Sequence, residues 1–98
     1  MNEITIKIMT YVLELEGAHF YIGKSFNLNF RMAQHFSGFG SRWTKLHKPI
    51  KIVECCIGDH EKDLTLKYMR EKGWKKVRGG GWCKVDMKYP PHELNLVK

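Results

Sequence analysis

The chain has 98 residues, enough for one small domain with a modest core and too few for a second domain. Hydrophobic residues make up 43% of the sequence and aromatic residues 12%, which favours a folded globule over a disordered chain. No run of about 18 apolar residues is present, so the sequence predicts no membrane-spanning helix. The formal net charge of +7 instead favours a polyanionic partner.

The N-terminal part of the chain predicts a β-hairpin. Residues 3 to 8 alternate between polar and apolar types, which is typical of a strand or of a lead-in to one. Two further strand-like runs cover residues 10–16 and 18–23, and Gly17 between them predicts a tight turn. We therefore expect the two runs to pair as antiparallel neighbours.

A helical pattern follows the hairpin, because Asn27, Arg31 and His35 lie four residues apart and share one face. Any one tyrosine on a strand is more often a core residue than a catalyst. Here, however, a hairpin and a helix would gather more donors and bases than a core needs. The group consists of Tyr11, Tyr21, Lys24, Arg31 and His35.

A basic loop, residues 37–49, connects this helix to a third predicted strand over residues 50–57, with a short turn around residues 43–46. Basic side chains cluster here and over residues 67–84, with tryptophans between them, as is typical of nucleic-acid-binding surfaces. A solvated basic surface is the alternative, and Trp43 could equally pin the loop to the core. The predicted DNA contacts are Arg42, Trp43, Lys45, Lys48 and Arg78.

A second helix is predicted from Glu61 to Gly73, with Asp59 as its N-cap. The apolar periodicity places Glu61 on the inward stripe, where its carboxylate needs a cation or hydrogen-bond donors. A divalent metal is one such partner, and a first-turn glutamate favoured by the helix dipole is the other interpretation. Asp63, on another face, is the second candidate ligand.

The C-terminal part carries three successive glycines, residues 79–81, which favour a tight turn returning a short strand to the sheet over direct contact with a ligand. Residues 88–98 are expected to pack loosely. Zinc binding by Cys55, Cys56, Cys83 and His60 is disfavoured, since no CxxC is present. Three cysteines and no signal peptide predict free thiols in an intracellular protein, cytoplasmic or nuclear.

Tyr21-Ile22-Gly23, with Met9-Thr10-Tyr11 ten residues earlier, resembles the paired tripeptides of the GIY-YIG endonucleases. A lysine and an arginine stand three and ten residues after the second tyrosine, as in that family. The later stretches over residues 61–70 and 77–81 resemble the tail of its short stand-alone members. The resemblance covers residues 9 to 83, although Met9-Thr10 replaces Gly-Ile and no residue matches an asparagine that some members carry.

The resemblance implies an α/β (α+β) fold: a small, mainly antiparallel three-stranded sheet flanked by two to three helices, in one domain with a core over residues 4–85. It also implies metal-dependent hydrolysis of DNA, with Mg²⁺ or Mn²⁺ held by Glu61 on the second helix. Tyr11 is the expected general base and Tyr21 its positioning partner, although the two roles could be exchanged. Gly23 belongs to the structural motif.

The remaining roles follow from the chemistry of phosphodiester hydrolysis, which needs charge neutralised on the phosphate. Arg31 would meet the phosphate oxygens, Lys24 would add charge beside them, and cations near the tyrosines would lower their pKa. His35 would orient a tyrosine, contact phosphate or simply lie at the surface. The alternatives are an inactive or partner-dependent DNA-binding module of the same fold, and a basic interaction protein whose tyrosines are core.

Overall fold

The computed structural model describes residues 7–96, so most of the lead-in predicted over residues 3 to 8 lies outside the described residues. The predicted hairpin is present: β1 spans Met9–Leu15, β2 spans His19–Ser25, and the two strands pair antiparallel. The turn needs Gly17 because its φ of 75° lies in the left-handed region, which side chains with a Cβ rarely adopt. The hairpin forms the centre of the sheet.

Two helices follow the hairpin. Helix α1 spans Leu28–Phe36 and begins after Asn27, whose side chain accepts a hydrogen bond from the backbone N–H of Phe30. The turn predicted around residues 43–46 is a short helix, α2, over Arg42–Leu46, capped by the side chain of Ser41. The local patterns therefore located both elements.

The third predicted strand is β3, Pro49–Ile57, and it pairs antiparallel with β1. A fourth strand, β4, spans Val77–Gly79 and pairs parallel with β2, which gives the order β3-β1-β2-β4. The α+β fold class is confirmed, but the expected count of three strands is wrong. The glycines at residues 79–81 indicated a short strand here, but the count omitted it because a three-residue strand ending in glycine has no periodicity of its own.

Helix α3 spans Glu61–Lys72 and ends at Gly73. It packs on one face of the sheet, against a core that includes Val12, Ile22 and Met69. The other face is covered by α1 and α2, over a second cluster that consists of Tyr11, Leu13, Leu15, Tyr21 and Trp43. Successive residues of β1 thus serve different layers, as strand geometry requires.

Part of the C-terminal segment contacts the rest of the domain. A 3₁₀ turn covers His92–Leu96, and the side chains of Met87 and Leu94 pack against the cluster beneath α3. Pro91 is buried, whereas Tyr89 is exposed. None of the described helices is long and apolar enough to cross a bilayer.

Candidate active site

Two tyrosines on neighbouring strands form the centre of the site. Tyr11 and Tyr21 are both buried, and their ring centroids lie 6.3 Å apart. Gly23 pairs with Tyr11 across the hairpin, and a Cβ at this glycine would overlap the Tyr11 hydroxyl and lie 2.6 Å from its Cζ. Glycine is therefore required here, because any side chain would displace the tyrosine.

His35 on α1 is fully buried and holds the Tyr11 hydroxyl. Its Nε2 lies 2.7 Å from Tyr11 Oη, and its Nδ1 lies 3.2 Å from Thr44 Oγ1. The Thr44 hydroxyl donates to the carbonyl of Ser41, so it accepts from Nδ1–H of the histidine. Nε2 is then unprotonated and accepts the hydrogen bond from Tyr11.

This burial rules out a surface position for His35 and leaves the orientation of a tyrosine as the role that fits its contacts. Two partners of the histidine were not predicted from the sequence, Thr44 and Gly40. A Cβ at Gly40 would overlap His35 Nδ1 and lie 2.7 Å from Thr44 Oγ1. The serine that caps α2 was the available signal, because it fixes the threonine three residues later.

Burial, assisted by the charge of Arg31, lowers the pKa of His35 from 6.5 to about 4. The unfolded chain therefore binds a proton at a higher pH than the native protein does. The contribution of neutral His35 to the stability of the protein is fully present above about pH 6.5 and is lost as the pH falls towards about 4.

We expect this histidine to lower the free energy of unfolding by up to about 3 kcal/mol between those pH values. Urea unfolding of the wild type and of His35→Asn at several pH values tests this. The variant is expected to be less stable at neutral pH but to lose less stability on acidification. Parallel pH profiles for the two proteins would contradict the expectation.

Arg31, also on α1, is half-buried beside the tyrosines and donates to Gln34 Oε1 at 2.8 Å. Burial raises the pKa of both Tyr11 and Tyr21, and the Arg31 charge opposes the rise. The predicted lowering of the tyrosine pKa is therefore wrong for the protein alone, because desolvation outweighs the nearby cation. Both hydroxyls are protonated at neutral pH.

A carboxylate pair lies at the start of α3. Lys24 Nζ is 2.7 Å from Asp59 Oδ2 and 3.8 Å from Glu61 Oε1. Burial raises the pKa of Glu61, and the neighbouring lysine counteracts the rise. Asp59 was predicted only as the N-cap of this helix. The N-cap is His60, one residue later, although Asp59 does accept a hydrogen bond from the backbone N–H of Glu61.

The donor set at Glu61 fits a hard divalent cation, because carboxylate oxygens are the ligands that Mg²⁺ prefers and water completes its shell. Lys24 already places a positive charge within 4.0 Å of both Asp59 and Glu61. Asp63 is exposed. Among residues 7–96, no three histidine, cysteine or acidic side chains cluster as a metal cage, and Cys55, Cys56 and Cys83 are free.

Thr10 connects β1 to the loop that precedes α3 and carries Asp59. Its buried hydroxyl donates to the carbonyl of Gly58 at 2.6 Å and accepts from the backbone N–H of His60 at 2.9 Å. These two bonds hold the loop that precedes Glu61 directly beside β1. The threonine that departs from the family tripeptide therefore has a structural purpose in this chain.

Two of the five predicted DNA contacts are internal. Trp43 is buried and donates from Nε1 to the carbonyl of Phe20 at 2.9 Å. Arg78 is buried too, donates to the carbonyls of Lys84 at 2.7 Å and Trp74 at 2.9 Å, and stacks 4.4 Å from the Trp43 ring. Their burial contradicts direct DNA contact, because their polar groups already bond within the protein.

The other three predicted contacts, Arg42, Lys45 and Lys48, are exposed. Lys45 and Lys48 line a cavity of about 370 Å³ together with His35 and Phe36. These two lysines therefore line the same cavity as His35, which binds the Tyr11 hydroxyl. Free ammonium groups beside such an opening suit an anionic ligand.

A hairpin with paired tyrosines, an arginine on the next helix and a glutamate on α3 is the arrangement that the sequence resemblance implies. Comparison with protein families agrees, because the GIY-YIG catalytic domain matches residues 7–81. The chain belongs to the GIY-YIG family.

Curated relatives give a narrower comparison. The chain is 36% identical over 47 residues to the UPF0213 protein spr1390 of Streptococcus pneumoniae, covering 48% of each chain. It is 35% identical over 54 residues to a UPF0213 protein of Lactococcus lactis subsp. cremoris, covering 55% of each chain. The chain thus spans about half the length of the curated relatives it matches. No solved structure matches it.

Proposed function

We propose that this protein is a divalent-metal-dependent DNA endonuclease with one metal site and a tyrosine general base. The observation that carries the proposal is the buried hydrogen bond from Tyr11 to neutral His35, next to Arg31 and Gly23. A core tyrosine has no need of a buried, unprotonated imidazole as its acceptor. An acid–base group does, because its proton must have a defined destination.

Tyr11 is the proposed base. Its oxygen takes a proton from the attacking water as its own proton passes to Nε2 of His35, so no free phenolate is required. Tyr21, whose ring lies 5.3 Å from that of His35, keeps the histidine and Tyr11 in position. Arg31 binds the non-bridging phosphate oxygens with its planar guanidinium and offsets the growing charge.

Glu61 would hold Mg²⁺ or Mn²⁺, with Asp59 as its nearest acidic neighbour. When bound, the ion supplies Lewis-acid stabilisation of the phosphate and of the leaving oxygen. Lys24 ties the two carboxylates together before substrate binds and adds positive charge beside the phosphate. The role of Asp63 is correspondingly small, since it points to solvent.

Arg42, Lys45 and Lys48 are the proposed contacts to the DNA backbone. Contacts of this kind bind any sequence, because phosphates carry no base information. We therefore propose low intrinsic sequence specificity for the single domain, with a protein partner as a possible source of further selectivity.

A non-catalytic DNA-binding module is the second candidate. It is favoured by the raised pKa of both tyrosines and by Lys24, whose charge is already paired with Asp59. Such a module would keep the basic surface and the fold but lack turnover.

Incubation of the wild type with supercoiled plasmid and a panel of branched oligonucleotides separates the two candidates. We expect cleavage with Mg²⁺ or Mn²⁺ and none with EDTA, and the panel identifies the preferred DNA shape. Salt-dependent binding to the same DNAs without any cleavage would replace the endonuclease with the binding module.

A further inference from the structure

Four of the five phenylalanines in the chain lie on the outside of the protein around α1. Phe26, Phe30, Phe36 and Phe39 are 68%, 61%, 48% and 75% exposed, whereas Phe20 is buried in the core. Burying such a side chain would stabilise the protein, so four exposed rings forgo a large stabilisation. Several exposed aromatic side chains on and beside one short helix are typical of a binding surface. We call these four residues the phenylalanine surface.

Members of the phenylalanine surface are close in sequence to residues of the candidate active site. Phe26 follows Lys24 by two residues, and Phe30 directly precedes Arg31. At the other end of the helix, Phe36 lines the same cavity of about 370 Å³ as Lys45 and Lys48. A nine-residue helix is about 13 Å long, comparable to the rise of about four stacked bases.

The charge of the chain segment that carries these rings indicates what kind of partner binds them. No aspartate or glutamate occurs from residue 17 to residue 53, a span that holds all four rings and six lysines and arginines. A second copy of the chain would bring this positive surface against itself, which like-charge repulsion opposes. A polyanion with flat apolar groups satisfies both the rings and the cations. Nucleic acid is such a polyanion.

The bases of an intact duplex are stacked on one another and cannot stack on protein rings. From this we infer that the phenylalanine surface binds unpaired bases, so that the substrate of the site is DNA with a single-stranded segment beside the bond to be cut. The inference rests on the proposed function, because it names the substrate class of the same site. The flat rings accept any base, which agrees with low sequence specificity.

The test is binding in EDTA, so that turnover plays no part. The affinities of the wild type, Phe26→Ala/Phe30→Ala and Phe26→Tyr/Phe30→Tyr are measured for a single strand, a gapped duplex and a blunt duplex. We expect the alanine variant to lose about tenfold or more in affinity for the first two DNAs, since it removes two base–ring stacks. Its affinity for the blunt duplex and its salt dependence should stay unchanged, and tyrosine should restore binding.

Tyr89→Ala is the matched control, because it removes an exposed ring far along the chain. Equal losses on all three DNAs, or no loss on any, would overturn the inference. Two other results would also overturn it. One is a wild-type dimer that becomes a monomer in the alanine variant, and the other is a wild type that binds phosphatidylserine vesicles but not DNA. Failure of the wild type to cut DNA would overturn the proposed activity alone, since these affinities do not depend on cleavage.

Discussion

Replacing Glu61 by glutamine is expected to reduce DNA cleavage by about 10³-fold while leaving DNA affinity nearly unchanged. The substitution keeps the shape of the side chain but removes the charge that would hold a divalent cation. Losing the Lewis acid removes several kcal/mol of transition-state stabilisation, of which about 4 kcal/mol corresponds to that factor. Plasmid nicking rates and anisotropy titrations of the same preparations provide the two measurements.

Asp63→Asn is the matched control, because it removes an acidic charge two residues away on an exposed face. It should cleave at nearly the wild-type rate. If this variant or Asp59→Asn lost activity and Glu61→Gln did not, the metal site would belong to the other carboxylate.

Tyr11→Phe is expected to lower the cleavage rate by about 10² to 10⁴-fold, the usual contribution of a positioned general base. The phenyl ring keeps its packing, so the fold should persist. His35 Nε2 loses its donor, which should cost about 1 to 3 kcal/mol of stability because the atom is buried. Single-turnover cleavage at saturating enzyme separates this effect from weakened binding.

Tyr68→Phe controls for the lost hydrogen bond. Tyr68 is a buried tyrosine on the other face of the sheet, and its hydroxyl donates to Glu54. The control should lose stability but keep its cleavage rate. Equal loss of activity in both variants would mean that Tyr11 acts only through the fold.

The elements that the sequence located are those whose signals are local. The hairpin follows from alternation and a glycine turn, and α1 and α3 follow from apolar spacing and helix ends. The pairing of β4 could not be predicted, because Val77–Gly79 pairs with β2, more than 50 residues earlier in the chain. A pairing at that distance leaves no trace in a short window of sequence.

Burial explains the errors at the site. Arg78 and Trp43 have the residue types of DNA contacts, but they stack on one another inside the protein. The direction of the tyrosine pKa was wrong for the same reason, because sequence shows which charges lie nearby but not how much water is excluded. The contact between His35 and Thr44 depends on a close backbone approach at Gly40, and the Ser41 cap of α2 was the local signal for the threonine alone.

The hydrogen bonds of Thr10 make the site dependent on completed folding. A fragment that ended before β3 would contain both tyrosines, Lys24 and Arg31, yet it would lack the Gly58 carbonyl and the His60 N–H that the threonine binds. Part of the proposed site thus lies in the first third of the chain, and the site is complete only after the loop before α3 packs beside β1. A growing or truncated chain is therefore expected to lack the proposed nuclease activity until Asp59 and Glu61 are in place.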